Sequence, residues 1–335
     1  ENSITTGNAT YRTLVTYKET HANAKIDPNP AWTGTWRDPR FSPPADGGRP
    51  ENGLTGTIFM VNCCTTDMEV DGVDGQMRFW RNTRVANLNS GQSTTLGSGI
   101  LGYEWDESPD NGFQPPGLIR LSTTTRSGVD YLQDYGSTYG PGTATHHLTM
   151  YRAPSGALVF GAGTVQWAWG LDDNHSGGSS SSSDTAVRQA TVNLFADMGV
   201  QPATLQSGLS AATASSDTTP PTSAISAPAD GATVPVGQPL TVSGTATDTG
   251  GGKVGGVEVS TDNGTSWHPA TGRGSWSYTF TPGSSGTLTI RTRATDDSLR
   301  METPSAGRTI TVGTGTPPPP GSCPCTIWPS TATPA

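Results

Sequence analysis

Ser275-Trp-Ser-Tyr-Thr-Phe280 decides the fold of the second half of this chain. Small polar residues alternate with Trp276, Tyr278 and Phe280, so the three aromatics share one face of an extended strand. Similar short runs lie to either side: Leu240-Thr-Val-Ser, Gly256-Val-Glu-Val-Ser260, Leu288-Thr-Ile-Arg-Thr-Arg-Ala294 and Thr309-Ile-Thr-Val312. Turn-forming residues separate them. About seven such strands in roughly 90 residues predict an immunoglobulin-like β-sandwich over residues 220–313, opening at Pro220-Pro221. The span holds no cysteine, so no disulfide ties its sheets.

Residues 1–206 read as a separate unit. His147-Leu-Thr-Met-Tyr-Arg152 predicts a strand, Ala153-Pro-Ser-Gly156 a turn and Ala157-Leu-Val-Phe160 a returning strand. Gly161-Ala-Gly163 lets the chain bend tightly. Further strands are expected at Tyr11–Tyr17, Leu54–Val61, Gln76–Trp80, Ile100–Trp105 and Gly117–Ser122, and an ordered aromatic-bearing loop over 27–53. Residues 176–183 read as a mobile polar loop. Asp184 then suits a helix N-cap, with Val187, Ala190, Val192, Leu194, Phe195 and Met198 as its apolar face and Gly199 as its stop. Strand, Gly turn, loop and helix together are the closing pattern of an α/β layer, so the unit reads as the back part of an α/β domain. Its front is expected upstream of residue 1.

The connections carry their own signatures. Residues 207–219 are Ser, Ala, Thr and Gly, and predict a flexible linker. Residues 314–322 are a Pro/Gly linker, extended at Pro317–Pro320. Residues 323–335 read as the truncated start of a further domain. With 32% hydrophobic residues, 43 Gly and 27 Pro, the whole composition is that of turn-rich β domains. A net charge of −9 argues against a nucleic-acid partner. No apolar run is long enough to span a membrane. The four cysteines form two local pairs, Cys63-Cys64 and Cys323-Pro-Cys325. Disulfide geometry disfavours bridging neighbours, so partners elsewhere, or free buried thiols, are the two expectations.

Five stretches carry a resemblance: Tyr17-Lys-Glu-Thr-His-Ala22, Trp36-Arg-Asp-Pro-Arg40, Leu101-Gly-Tyr-Glu-Trp-Asp106, Gln133-Asp-Tyr-Gly136 and Gly161-Ala-Gly-Thr-Val-Gln-Trp167. Through them residues 1–205 resemble the C-terminal region of the N,N-dimethylformamidase large (beta) subunit, as found in secreted actinobacterial multidomain proteins. Val257-Glu-Val-Ser-Thr-Asp-Asn-Gly-Thr-Ser-Trp267 makes the second unit similar to bacterial immunoglobulin-like modules. The resemblance implies a glutamine-amidotransferase-like α/β fold, hydrolysis of linear amide C–N bonds, and one iron held by two tyrosines and a glutamate. It also implies secretion. The front of the α/β domain being expected elsewhere, this chain alone is expected to be inactive.

Glu104 is the first candidate for a metal ligand: a carboxylate between Tyr103 and Trp105 in an apolar run needs a partner, either a metal or hydrogen-bond donors. Glu19 and His21 follow the predicted first strand and are the catalytic candidates, since sites collect at strand ends of open α/β sheets; a structural pair is the other reading. His146 and His147 would face opposite sides of a strand and so could not share a metal. Tyr135 and Tyr139 lie in a Gly-rich loop with Asp134, either lining a pocket or packing within the loop. Asp106 and Glu107 are expected to face solvent or cap a turn. Gly161-Ala-Gly163 lacks the third glycine and following helix of a dinucleotide fingerprint. Trp267 and Trp276 read as core residues or as a sugar-binding platform. A small amide or a cell-surface glycan are the partners to expect, and a non-catalytic adhesion protein with the sandwich as spacer or glycan-binding module is the alternative function.

Overall fold

The computed structural model describes residues 36–39, 48–136, 138–175 and 183–313. The predicted strand Tyr11–Tyr17, the linker 314–322 and the segment 323–335 lie outside these. In the first unit the strands are β1 (Ile58–Val61), β2 (Glu69–Asp71), β3 (Ser93–Thr95), β4 (Trp105–Glu107), β5 (Ile119–Arg120), β6 (Thr124–Leu132), β7 (Tyr139–His146), β8 (Thr149–Arg152) and β9 (Leu158–Gly161). The helices are α1 (Asn52–Thr55), α2 (Gly72–Gly75) and α3 (Thr185–Asp197). The strands form sheets in the orders β4-β1-β6-β7, β5-β8-β9 and β2-β3.

Every strand pairing in this unit is antiparallel. The described residues therefore hold no parallel layer of the kind the α/β expectation requires; the unit is mostly β, with one long helix. That helix begins as expected. Asp184 Oδ1 accepts from the Ala186 amide, 2.7 Å away, and Gly199 follows the helix end at φ +80°. The helix covers the core with Ala186, Val187, Ala190 and Leu194, and packs on the 3-10 turns Arg78–Trp80 and Trp167–Gly170 rather than crossing between parallel strands.

Several strand expectations need correction. Gln76–Trp80 is a turn, because consecutive Phe79 and Trp80 are both buried, which a half-exposed strand with alternating faces cannot do. Trp80 Nε1 donates to the Leu121 carbonyl at 2.8 Å. Leu54–Val61 divides into α1 and β1, parted by the left-handed Gly56 (φ +81°). In Ile100–Trp105 only Trp105 enters a strand. Cys63 and Cys64 are bonded to each other, so neither expectation for that pair holds.

The second unit contains β10 (Thr222–Ala227), β11 (Thr233–Pro235), β12 (Leu240–Thr247), β13 (Val254–Ser260), β14 (His268–Pro269), β15 (Thr271–Gly272), β16 (Ser275–Phe280), β17 (Gly286–Asp296) and β18 (Arg308–Gly313). They form two sheets, β10-β12-β16-β15 and β11-β18-β17-β13-β14. Val242, Val257, Val259, Trp276, Ile290 and Ile310 meet between them as the core of the predicted sandwich. Trp276 is only 3% exposed, and Tyr278 and Phe280 pack beside it. The alternation of β16 thus serves the core.

Residues 207–219 are not loose. Ala212 is buried against Val192 and Ala196 of α3. Gln189 exchanges hydrogen bonds with Ser210, donating from Nε2 to its carbonyl and accepting from its amide. Small side chains here permit close packing on a helix as well as flexibility. The two units meet along a polar seam. Arg273, between β15 and β16, donates to Asp74 Oδ1 at 2.7 Å, to the Arg120 carbonyl at 2.8 Å and to the Val73 carbonyl. Glu258 accepts from the Gly117 amide and from Arg293 Nε. Leu299 of the sandwich lies in the first unit's core. No helix among the described residues is long and apolar enough to cross a membrane.

Candidate functional site

The central sheet of the first unit carries a cleft of about 440 Å3, joined at Glu51, Phe59 and Glu104 to a second hollow of about 260 Å3. Register builds its floor. β1 pairs with β4 so that Phe59 lies opposite Asp106, and Glu104 stands one residue before β4. The Gly161–Val165 segment closes the far wall, where the Asp106 amide donates to the Gly163 carbonyl at 2.8 Å. Gly163 requires its residue type: at φ +59°, a Cβ would also stand 2.9 Å from His146 Nε2.

Arg37 enters from the Trp36–Pro39 turn. It pairs with Glu51 and donates to the Phe59 carbonyl at 2.8 Å. Asp106 Oδ2 accepts from Thr57 Oγ1 at 2.7 Å. Burial raises the Asp106 pKa above the usual carboxylate value; the Thr57 bond and Arg37 oppose this, and the charges of Glu51 and Glu104 add to it. Expected to face solvent or cap a turn, Asp106 instead lines the cleft. Glu107 is likewise engaged, accepting from Tyr131 Oη at 2.7 Å and the Thr145 amide at 2.6 Å. The second hollow brings Tyr135 and Tyr139 to the same wall as Glu104, with Trp36 and Arg37. Burial first, and then Glu104, hold the Tyr139 proton more tightly than in water.

Glu104 is half-buried and borders both hollows. Glu19 and His21 lie outside the described residues. His146 and His147 are buried by core packing, their ring nitrogens 2.9 Å from the carbonyls of Ala162 and Ser122. Burial lowers their pKa values to about 4 and about 3, with the Arg120 charge assisting at His147. Both are neutral structural groups. Trp267 carries the Arg293 guanidinium 4.1 Å from its ring centroid, and Trp276 is in the core, so neither forms an open sugar platform.

Would iron fit? The groups near Glu104 are oxygen donors, the type a hard cation prefers, and a cation would reverse the electrostatics that keep Tyr139 protonated. Among the described residues no three His, Cys, Asp or Glu side chains converge there; the one such group lies elsewhere, at Asp217, Asp248 and Asp296. The cleft thus offers Glu104 and two phenols as a partial donor set. Sequence reasoning overlooked Arg37, Glu51 and Asp106 as cleft residues. Trp36-Arg-Asp-Pro-Arg40 and the tail of Leu101–Asp106 were the signals that held two of them.

Fold and cleft together define a two-unit chain: an antiparallel β unit bearing a carboxylate-lined cleft, and an immunoglobulin-like sandwich docked on it. A family profile described as N,N-dimethylformamidase beta subunit-like, C-terminal, matches residues 1–180, and one described as bacterial Ig domain matches residues 221–292. The first spans more than half of the chain, which therefore belongs to the N,N-dimethylformamidase beta subunit-like, C-terminal family. No curated protein matches it in sequence. Among solved structures, the fibronectin(III)-like modules of Clostridium thermocellum CbhA are similar at 20% identity, covering 28% of this chain and 99% of that one with a TM-score of 0.24; so low a score carries no argument.

Proposed function

We propose that the first unit forms part of an amide-hydrolase site of a secreted protein, acting on a linear amide C–N bond. The observation that supports this reading is that Glu104 borders both hollows, with Asp106 lining the first and Tyr135 and Tyr139 the second, in a member of this family. Glu104 would hold one position on an iron, with Tyr135 and Tyr139 of the adjoining hollow as the proposed further oxygen donors. A bound iron would supply Lewis acidity toward the amide oxygen and a lowered pKa for bound water. Asp106, in the same cleft as Glu104 and with its pKa raised chiefly by burial, is the proposed proton carrier. Glu19 and His21 are proposed to complete the catalytic set. The chain alone is proposed to be inactive.

The test is iron content and formamide hydrolysis of the natural full-length polypeptide, beside Glu104→Gln. About one iron per chain, lost in the variant, is the expected result. Iron retained in Glu104→Gln would remove Glu104 from the site, and absence of both iron and hydrolysis from the natural polypeptide would overturn the reading. The alternative, a non-catalytic adhesion protein, is favoured by one observation: the sandwich is fixed to the first unit by buried polar contacts, as a spacer or positioning module would be.

A further inference from the structure

Three aspartates from separate segments meet where the connection enters the sandwich. Asp217 ends the connection, Asp248 follows β12 and Asp296 ends β17. A carboxylate oxygen of each lies within 4.8 Å of those of the other two. Each uses Oδ1 to accept backbone amides: Thr219 for Asp217, Gly250 for Asp248, and Ser298 and Arg300 for Asp296. The Oδ2 atoms of all three are buried and without a hydrogen-bond partner. Asp296 is 0% and Asp217 7% exposed. No Lys, Arg or His forms an ion pair with any of them among the described residues; Arg78 and Arg81 pair with Asp197, and Lys253 Nζ bonds Gln76.

Buried carboxylate oxygens without donors are costly, and several together more so. Elsewhere this chain gives its buried carboxylates partners: Asp74 has Arg273, Glu258 has Arg293, and Glu302 accepts the amides of Ser223 and Ala294. We propose that Asp217, Asp248 and Asp296 form a calcium site clamping the connection to the sandwich. Carboxylate oxygens at this spacing can surround one ion at the 2.3–2.6 Å typical of calcium. Backbone carbonyls and water would complete the shell, reached through an adjoining cavity of about 420 Å3 that Asp217, Gly250–Gly252 and Asp297 help line. Gly252 closes the site tightly: a Cβ there would stand 2.7 Å from Asp248 Oδ2 and 2.8 Å from Asp217 Oδ2. The location gives the ion a task. Neighbouring Asp297 accepts the Arg78 amide and Ser298 the Arg152 guanidinium, so an ion here would stiffen the seam between the units.

The experiment is calorimetric titration of the chelator-stripped chain with CaCl2, then with MgCl2, alongside thermal unfolding in CaCl2 and in EGTA. One calcium per chain is expected, at the 10⁻³ M or tighter affinity of extracellular modules, with the midpoint rising by about 5 °C in saturating calcium. Asp248→Asn, at the half-exposed corner, should fold and bind at least about tenfold more weakly. Should Asp296→Asn fail to fold, Asp248→Asn decides alone. Glu104→Gln should bind calcium normally, which keeps this site separate from the cleft. No heat and no midpoint change at 10⁻² M calcium, unchanged binding by folded Asp248→Asn, or magnesium binding as tight as calcium would each overturn the assignment.

Discussion

The two units hide their polar groups differently. In the sandwich, ladders pair the backbone and the cluster between the sheets is apolar. In the first unit, short strands and 3-10 turns leave backbone groups for side chains to satisfy. Asn193 donates to the carbonyls of Phe79 and Arg81, Trp80 to that of Leu121, and Ser122 Oγ accepts the Leu148 amide. A fold held by ladders tolerates side-chain exchange as long as the pattern persists. A fold held by side chains loses backbone partners when one is removed.

The seam is where the largest effect is expected. Arg273 joins the sandwich to Asp74, a carboxyl whose pKa is raised chiefly by burial even with the guanidinium beside it. Arg273→Ala leaves that carboxylate buried and unpaired, at a cost of about 3–5 kcal/mol. Calorimetry should show one unfolding transition in the wild type and two in the variant, the sandwich melting separately. A single unshifted transition would mean that the seam holds without its arginine.

A second test probes the first unit by pH. The folded pKa of His146, about 4, lies below its unfolded value of 6.5. A depressed histidine stabilises fully above pH 6.5, and that stability is lost as pH falls through 6.5 toward 4, approaching on the order of 3 kcal/mol below it. His146→Gln keeps an N–H for the Ala162 carbonyl and removes the titration. The unfolding transition should lose less stability in that window with Gln than with His. Equal acid sensitivity of the two proteins would show that His146 is not buried in its neutral form.

This contrast also sets what could be read in advance. The sandwich was legible because Trp276, Tyr278 and Phe280 repeat with the strand period and strand ladders preserve that period. The hairpin of β8 and β9 and the cap at Asp184 were legible for similar local reasons. The turn at Arg78–Trp80 was not, since Phe79 and Trp80 look like strand residues and only the distant Leu121 carbonyl explains them. The closeness of Cys63 and Cys64 could be seen, but their bond could not. In the cleft, Glu104 was legible as a carboxylate in apolar company. Asp106, Glu51 and Arg37 were not, because their neighbours arrive through the β1–β4 register. The three aspartates of the calcium site come from segments with no common pattern. Only the fold brings them together.

The smallest expected effect tests the helix, where period and packing disagree. Helical spacing put Phe195 and Met198 on the apolar face of α3, yet they are 46% and 40% exposed. The buried positions of that helix include the polar Gln189 and Asn193, which hold Ser210 and the Phe79–Arg81 turn. The helix therefore docks on the core through Val187, Ala190 and Leu194, as the spacing marks, and adds hydrogen bonds from Gln189 and Asn193, which it does not mark. Phe195→Ser should change stability by less than about 0.5 kcal/mol, as for an exposed site. Asn193→Ala should cost about 1–3 kcal/mol, because it strands the buried Phe79 carbonyl and the half-buried Arg81 carbonyl. Denaturant unfolding of the pair reads the difference directly. If Phe195→Ser proves the costlier, the apolar spacing marks a real contact, and residues outside those described must cover that side of the helix.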